Sequence, residues 1–275
     1  MFFVITINEK VRKMRLIDKL PKVPDLNEQS IHMITDLLFV PDKPFNQHSD
    51  NSEYDINSAL QIMGNIAFLK DMFNDNILSK ISTYYSVASR LIITGGINPA
   101  YTEDNEETKL VKYLYTENGK YNWKDVLTIP QSVIINSRLQ RILNNPWNGK
   151  NEPLLDTKSS NTKENFICVN QIGGYKGITQ IRMLTTAEST LRVIATARKV
   201  LSGIQDIGTI SYIPTFPEFN IVCDRNNWAN HKLSQRYVYG EFLRIVKYNE
   251  KEEINLTDIE KTKMKDIIKE LSNQR

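Results

Sequence analysis

The chain has 275 residues, with 35 Lys and Arg against 32 Asp and Glu, a formal net charge of +3, 40% apolar residues and two cysteines. These values exclude a collagen-like repeat, a disulfide scaffold and a wholly disordered chain. No stretch reaches the ~18 consecutive apolar residues of a membrane-spanning helix, and Cys168 and Cys223 lack CxxC spacing, so no membrane partner is expected and a reducing cell interior is.

The first seven residues are apolar, but the basic residues Lys10, Arg12, Lys13 and Arg15 come after them, the reverse of a secretory signal. They read as a short first strand. Pro21, Pro24, Pro41 and Pro44 then fix φ and remove backbone donors, so residues 1–50 read as an extended arm holding one short helix over Asn27–Phe39.

Residues 51–147 read as helical. Ser52 and Asp55 resemble a capping box, and Leu60, Met63, Ala67, Ile77, Ile81, Ala88 and Leu91 recur at helical steps until Gly95-Gly96 and Pro99 stop them. Glu103–Leu114 reads as an acidic-start helix, Asn118-Gly119 as a hairpin turn, and Pro130–Leu143 as a further helix opened by its proline. Polar Asn148–Asn165 reads as a linker or loop.

Residues 166–275 read as a β-rich region with a C-terminal helix. Phe166–Val169, Ile178–Leu184, Thr209–Ile213, Phe219–Cys223 and Tyr237–Tyr248 are rich in β-branched and aromatic residues. One helix interrupts them, with Thr185 and Glu188 as its capping box; the closing helix has Thr257 and Glu260 as its own, and Met264, Ile267, Ile268 and Leu271 as its apolar stripe. The expected fold class is therefore α+β: a helical N-terminal half, then a mixed or antiparallel β-rich half.

Most catalytic signatures are absent: there is no GxSxG, HExxH, Walker or GxGxxG motif. Gly173-Gly174-Tyr175-Lys176-Gly177 lacks the GK[ST] ending and reads as a tight turn, and the three histidines His32, His48 and His231 lie far apart in sequence. Asp156-Thr157-Lys158, with Glu152 and Asp125 upstream, has the local form of a Mg²⁺-dependent nuclease triplet, as does Glu107-Thr108-Lys109. Such triplets arise readily by chance in a charged chain, and no catalytic, cofactor or metal residue is assigned.

Residues 170–247 carry ten cations and five anions. Arg192, Lys199, Arg225, Lys232 and Arg236, interleaved with Trp228, Tyr237 and Tyr239, are candidate nucleic-acid contacts.

The leading expectation is a non-enzymatic structural or assembly protein. Its partners would be copies of itself and other subunits, as in a virus or phage capsid, connector or tail ring, and it would reside in the host cytoplasm or the virion. The viral element rests on abundant Ile, Asn and Lys, which suit an AT-rich genome. Apolar residues of the arm and the closing helix, Ile31, Leu37, Met264, Ile267, Ile268 and Leu271, are the interface candidates. A nucleic-acid binder or a Mg²⁺-dependent nuclease is the alternative.

Overall fold

The computed structural model describes residues 22–45, 57–64, 75–96, 130–142, 152–213, 215–216 and 221–273. Among them, seven α-helices and seven strands run in the order α1 (Glu28–Leu38), β1 (Ser58–Ile62), α2 (Asp75–Val87), β2 (Arg90–Ile93), α3 (Gln131–Ile142), β3 (Leu154–Leu155), α4 (Thr162–Gln171), β4 (Gln180–Thr186), α5 (Thr190–Val200), β5 (Asp206–Tyr212), β6 (Thr215–Phe216), β7 (Ile221–Val222), α6 (Lys232–Glu250) and α7 (Asp258–Asn273). The chain divides into two compact units: Pro41–Thr186 with Val193–Tyr212, and Met1–Val40 with Ala187–Arg192 and Ile213–Arg275.

The first unit is built on a five-stranded sheet of order β3-β2-β1-β4-β5, in which every pairing is parallel. Parallel neighbours need long crossover connections, and here helices lie between successive strands along the chain. Such a sheet is covered on both faces, so its central strands bury the side chains of both faces, polar ones included. All five residues of β1 and all seven of β4 are buried. On one face Leu60, Ile62, Leu91, Ile93, Leu184 and Ile210 pack against Ile77, Ile81 and Tyr85 of α2 and Ile135 and Leu139 of α3.

This corrects the expected α+β class with its mixed or antiparallel sheet: the protein is of α/β type with a parallel five-stranded sheet. The physical reason is periodicity. A strand buried on both faces does not alternate, so Leu60 and Met63, three apart, imitate a helical step although Ser58–Ile62 is β1. Leu91 likewise belongs to β2. The opposite error occurs at Phe166–Val169 and Tyr237–Tyr248, which are helical. In α6, Val238, Phe242 and Ile245 are buried at steps of four and three, a helical face whose aromatic and β-branched composition resembles a strand. Asn148–Asn165, expected to be a linker or loop, contains β3 and the start of α4.

The second unit contains α1, α6, α7 and the antiparallel pair β6–β7. Helix α1 starts where expected, with Asn27 as its cap accepting from the Ser30 N–H at 2.7 Å. Helix α7 has its capping box: the Thr257 N–H donates to Glu260 Oε2 at 2.7 Å, and the Glu260 N–H to Thr257 Oγ1 at 3.3 Å. Helices α1 and α7 pack together, and Leu37 of α1 and Met264 and Ile267 of α7 are buried. The indole of Trp228, fully buried, donates to Thr35 Oγ1 at 2.9 Å.

The expected first strand, the basic residues Lys10, Arg12, Lys13 and Arg15, the Ser52–Asp55 box, the Glu103–Leu114 helix with the Glu107-Thr108-Lys109 triplet, the Asn118-Gly119 hairpin and Asp125 lie outside the described residues.

Candidate functional site

In the order β3-β2-β1-β4-β5, the chain steps outward from β1 to β3, then returns to the other side of β1. In open parallel sheets, ligands bind at the carboxyl ends of the strands near this reversal. That edge of the first unit carries three glycines, an unpartnered hydroxyl and a buried carboxylate.

The glycines allow close backbone packing. Strand β1 runs into Met63-Gly64, and a Cβ on Gly64 would lie 2.0 Å from the Thr94 carbonyl oxygen. After β2, Gly95 adopts φ +120°, which side chains disfavour. A Cβ on Gly96 would sit 2.7 Å from the Ser159 carbonyl oxygen and 2.8 Å from that of Thr157. The Gly96 N–H donates to that Ser159 oxygen at 2.8 Å, joining the β2 loop to the β3 loop. On its other side the Gly95 carbonyl accepts from the Ser132 N–H at 2.8 Å, which sets the first turn of α3 against the glycines. The Ser132 hydroxyl is buried and has no hydrogen-bond partner.

Asp156 follows β3 directly, its N–H donating to the Ile93 carbonyl at 2.9 Å. It is 2% exposed. Its Oδ1 accepts from the backbone N–H groups of Lys158 at 3.0 Å and Ser159 at 3.2 Å, so the carboxylate orientation is held by the loop itself. Its Oδ2 is buried and has no partner. An orphaned buried carboxylate oxygen forfeits about 1–3 kcal/mol or more, a cost that native structures rarely bear without a use. Hydrogen bonds tie the loop that follows: the Ser159 hydroxyl donates to Asn165 Oδ1 at 2.5 Å, and Glu164 accepts from the Ser160 N–H and hydroxyl, which lowers its carboxyl from its ordinary value.

Burial, then the charges of Asp156 and Glu164, push the Cys168 thiol up. Burial chiefly raises the Tyr175 phenol well above its ordinary value, against a hydrogen bond to Gln61 Oε1 at 2.6 Å. Among the described residues no three His, Cys, Asp or Glu side chains converge as a metal site would require, and Glu152 and Lys158 are exposed. Gly173 and Gly177 take φ +77° in turns between α4 and β4.

The structure distributes the basic candidates. Lys199 belongs to the first unit and is exposed, whereas Arg192, Arg225, Lys232 and Arg236 belong to the second. Arg192 donates to Glu241, which is buried and also accepts from Arg244 Nη1 at 3.0 Å. Arg225 donates to Asp36 and to the Phe39 carbonyl. These two guanidinium groups thus have carboxylate partners inside the chain. Burial raises the Tyr237 phenol well above its ordinary value, helped by Glu188 and Glu241. Of the interface candidates, Leu37, Met264 and Ile267 are buried in the second unit, Ile31 and Leu271 are half-buried, and Ile268 is 39% exposed.

Sequence reasoning singled out Asp156 for its triplet with Lys158, but read Gly95-Gly96 as a helix stop and passed over Gly64. The available signal was the run Leu91-Ile92-Ile93-Thr94-Gly95-Gly96, a short apolar stretch ending in paired glycine. The sequence matches no protein-family model and no curated protein. No helix among the described residues is long and apolar enough to cross a membrane.

Proposed function

We propose that this chain is a small-molecule-binding α/β protein whose ligand, of nucleotide or nucleoside type, lies at the carboxyl edge of the parallel sheet against Gly64, Gly95, Gly96 and Asp156. The observation that carries the reading is the partnerless, buried Oδ2 of Asp156 at that edge. The strand order supports it by analogy of fold, since β3-β2-β1-β4-β5 coincides with the first five positions of the doubly wound order 3-2-1-4-5-6, whose strand reversal is where nucleotides bind.

The test is amide exchange read by mass spectrometry, with and without ATP, NAD⁺ and adenosine. Slower exchange over 57–64, 90–96 and 152–160 is expected with at least one probe. No change in any of these segments with any probe overturns the reading.

A second reading, a subunit of a larger assembly such as a virus or phage particle, is favoured by apolar side chains left on the surface of α7: Ile259 is 71% exposed and Ile268 is 39% exposed. Light scattering against concentration tests it. A monomer at every concentration, alone and with candidate partners, removes it.

A further inference from the structure

Strand β5 is one edge of the five-stranded sheet, and its seven residues pair with β4 on the inner side. An edge of that length offers its outer N–H and C=O groups to any strand that arrives from solvent. Here side chains meet them. The Ser211 N–H donates to Asp42 Oδ1 at 2.7 Å, and the Ser211 hydroxyl donates to the same oxygen at 2.6 Å. The Ser211 carbonyl accepts from Lys80 Nζ of α2, which also donates to Asp42 Oδ2 at 3.0 Å. The main chain contributes the Lys43 N–H, which donates to the Thr209 carbonyl at 2.9 Å. The Lys43 stem lies so close to the strand that a Cβ on Gly208 would sit 2.8 Å from Lys43 Cβ.

Residues 41–45 thus take the place of a sixth strand without forming one. Pro41 and Pro44 have no N–H, and that of Lys43 is turned inward, so these five residues leave at most two backbone donors for a further strand. Phe45 anchors the segment in the same apolar core as Ile210 and Tyr212. We propose that Asp42, Lys80 and the proline-bearing segment 41–45 guard the edge of β5 against pairing with a second copy of this chain. The strand that the guard excludes is another β5. Two such edges related by a twofold axis pair antiparallel, each supplying the donors and acceptors that the other lacks. The opposite edge, β3, has two residues and is too short to template a partner.

The test uses Asp42→Ala/Lys80→Met, which bares the Ser211 N–H and carbonyl; its control is Asp42→Asn, which keeps an acceptor for that N–H. Light scattering is expected to show the double variant associating at a concentration roughly tenfold or more below the parent's, while Asp42→Asn follows the parent. Amide exchange read by mass spectrometry is expected to slow over 206–212 as the double variant associates. Association no stronger than the parent's overturns the proposal, as does association that leaves exchange over 206–212 unchanged. A double variant that is unfolded by circular dichroism overturns it too, because the contacts then hold the fold and do not guard its edge. On the unaltered chain, exchange over 206–212 is expected to be as slow as over 180–184, which is paired on both sides. Much faster exchange over 206–212 would show an edge that nothing guards.

Discussion

Arg182 and Asp206 form an ion pair between the two strands β4 and β5, with Nη2 donating to Oδ2 at 2.7 Å and the Arg182 side chain wholly buried. A permanent cation is tolerated there because every direction of the guanidinium is used. Nε and Nη2 donate to the Pro44 carbonyl at 2.9 and 2.7 Å, Nη1 donates to the Ile181 and Asp206 carbonyls at 3.0 and 3.3 Å, and the Phe45 ring centroid lies 5.1 Å from Cζ. Lys43 pairs with the same carboxylate. The arginine thereby ties residues 43–45 to the sheet.

Arg182→Met is expected to destabilise the fold by about 3–5 kcal/mol, because it strips the donors from the Pro44 and Ile181 carbonyls and leaves Asp206 with Lys43 alone. Urea unfolding with an unchanged m-value would measure it. A loss below about 1 kcal/mol would mean that the hydrogen-bonded guanidinium is dispensable.

The same pair sets a pH dependence. Burial pushes the Asp206 carboxyl up, but hydrogen bonds and charge from Arg182 and Lys43 outweigh it and hold the group below its ordinary value. A depressed folded-state pKa contributes stability that is complete above the unfolded value of about 3.9 and lost as pH falls through the folded one. Asp206→Asn is therefore expected to show its largest deficit at neutral pH, with the gap to the parent narrowing below pH ~4. A gap that stays constant from pH 7 to pH 3 would contradict this.

Two glycines separate backbone crowding from backbone freedom. Gly96→Ala drives a methyl into the Ser159 and Thr157 carbonyls and is expected to cost about 1–3 kcal/mol. Gly203→Ala meets nothing within 4 Å and is expected to be neutral or to stabilise by up to about 1 kcal/mol through the unfolded chain. Denaturant midpoints of the two variants check the contrast, and equal midpoints would refute it.

The cysteines differ in access. Burial pushes the Cys223 thiol up to about 12, with the charges of Glu188 and Asp224 adding to it. Cys168 is raised as well but is only half-buried. Labelling at pH 8 with a chromogenic disulfide is expected to modify Cys168 slowly and Cys223 only after unfolding. Rapid reaction of two thiols in the native protein would show that the core around Cys223 opens freely.

On α7, Ile267→Ala is expected to cost about 2–5 kcal/mol, since the side chain is fully buried, and Ile268→Ala less than about 1 kcal/mol. Thermal unfolding of both variants measures the difference. A large loss for Ile268→Ala would mean that this side chain is covered in solution, which light scattering would trace to a second copy.

Local signals determined the parts of this protein that depend on neighbours along the chain. Asn27 caps α1, Pro130 precedes α3, and Thr257 with Glu260 boxes α7, because a cap is a hydrogen bond between residues three apart and needs nothing beyond them. The tertiary structure decided the rest. Leu60 is a strand residue because β2 and β4 flank it on both sides. Tyr237–Tyr248 is helical because one side of it has a core to face. The carboxylate of Asp156 acquires meaning only at the edge where Gly64, Gly95 and Gly96 bring three distant loops together, an arrangement set by non-local parallel pairing and invisible to any window of sequence.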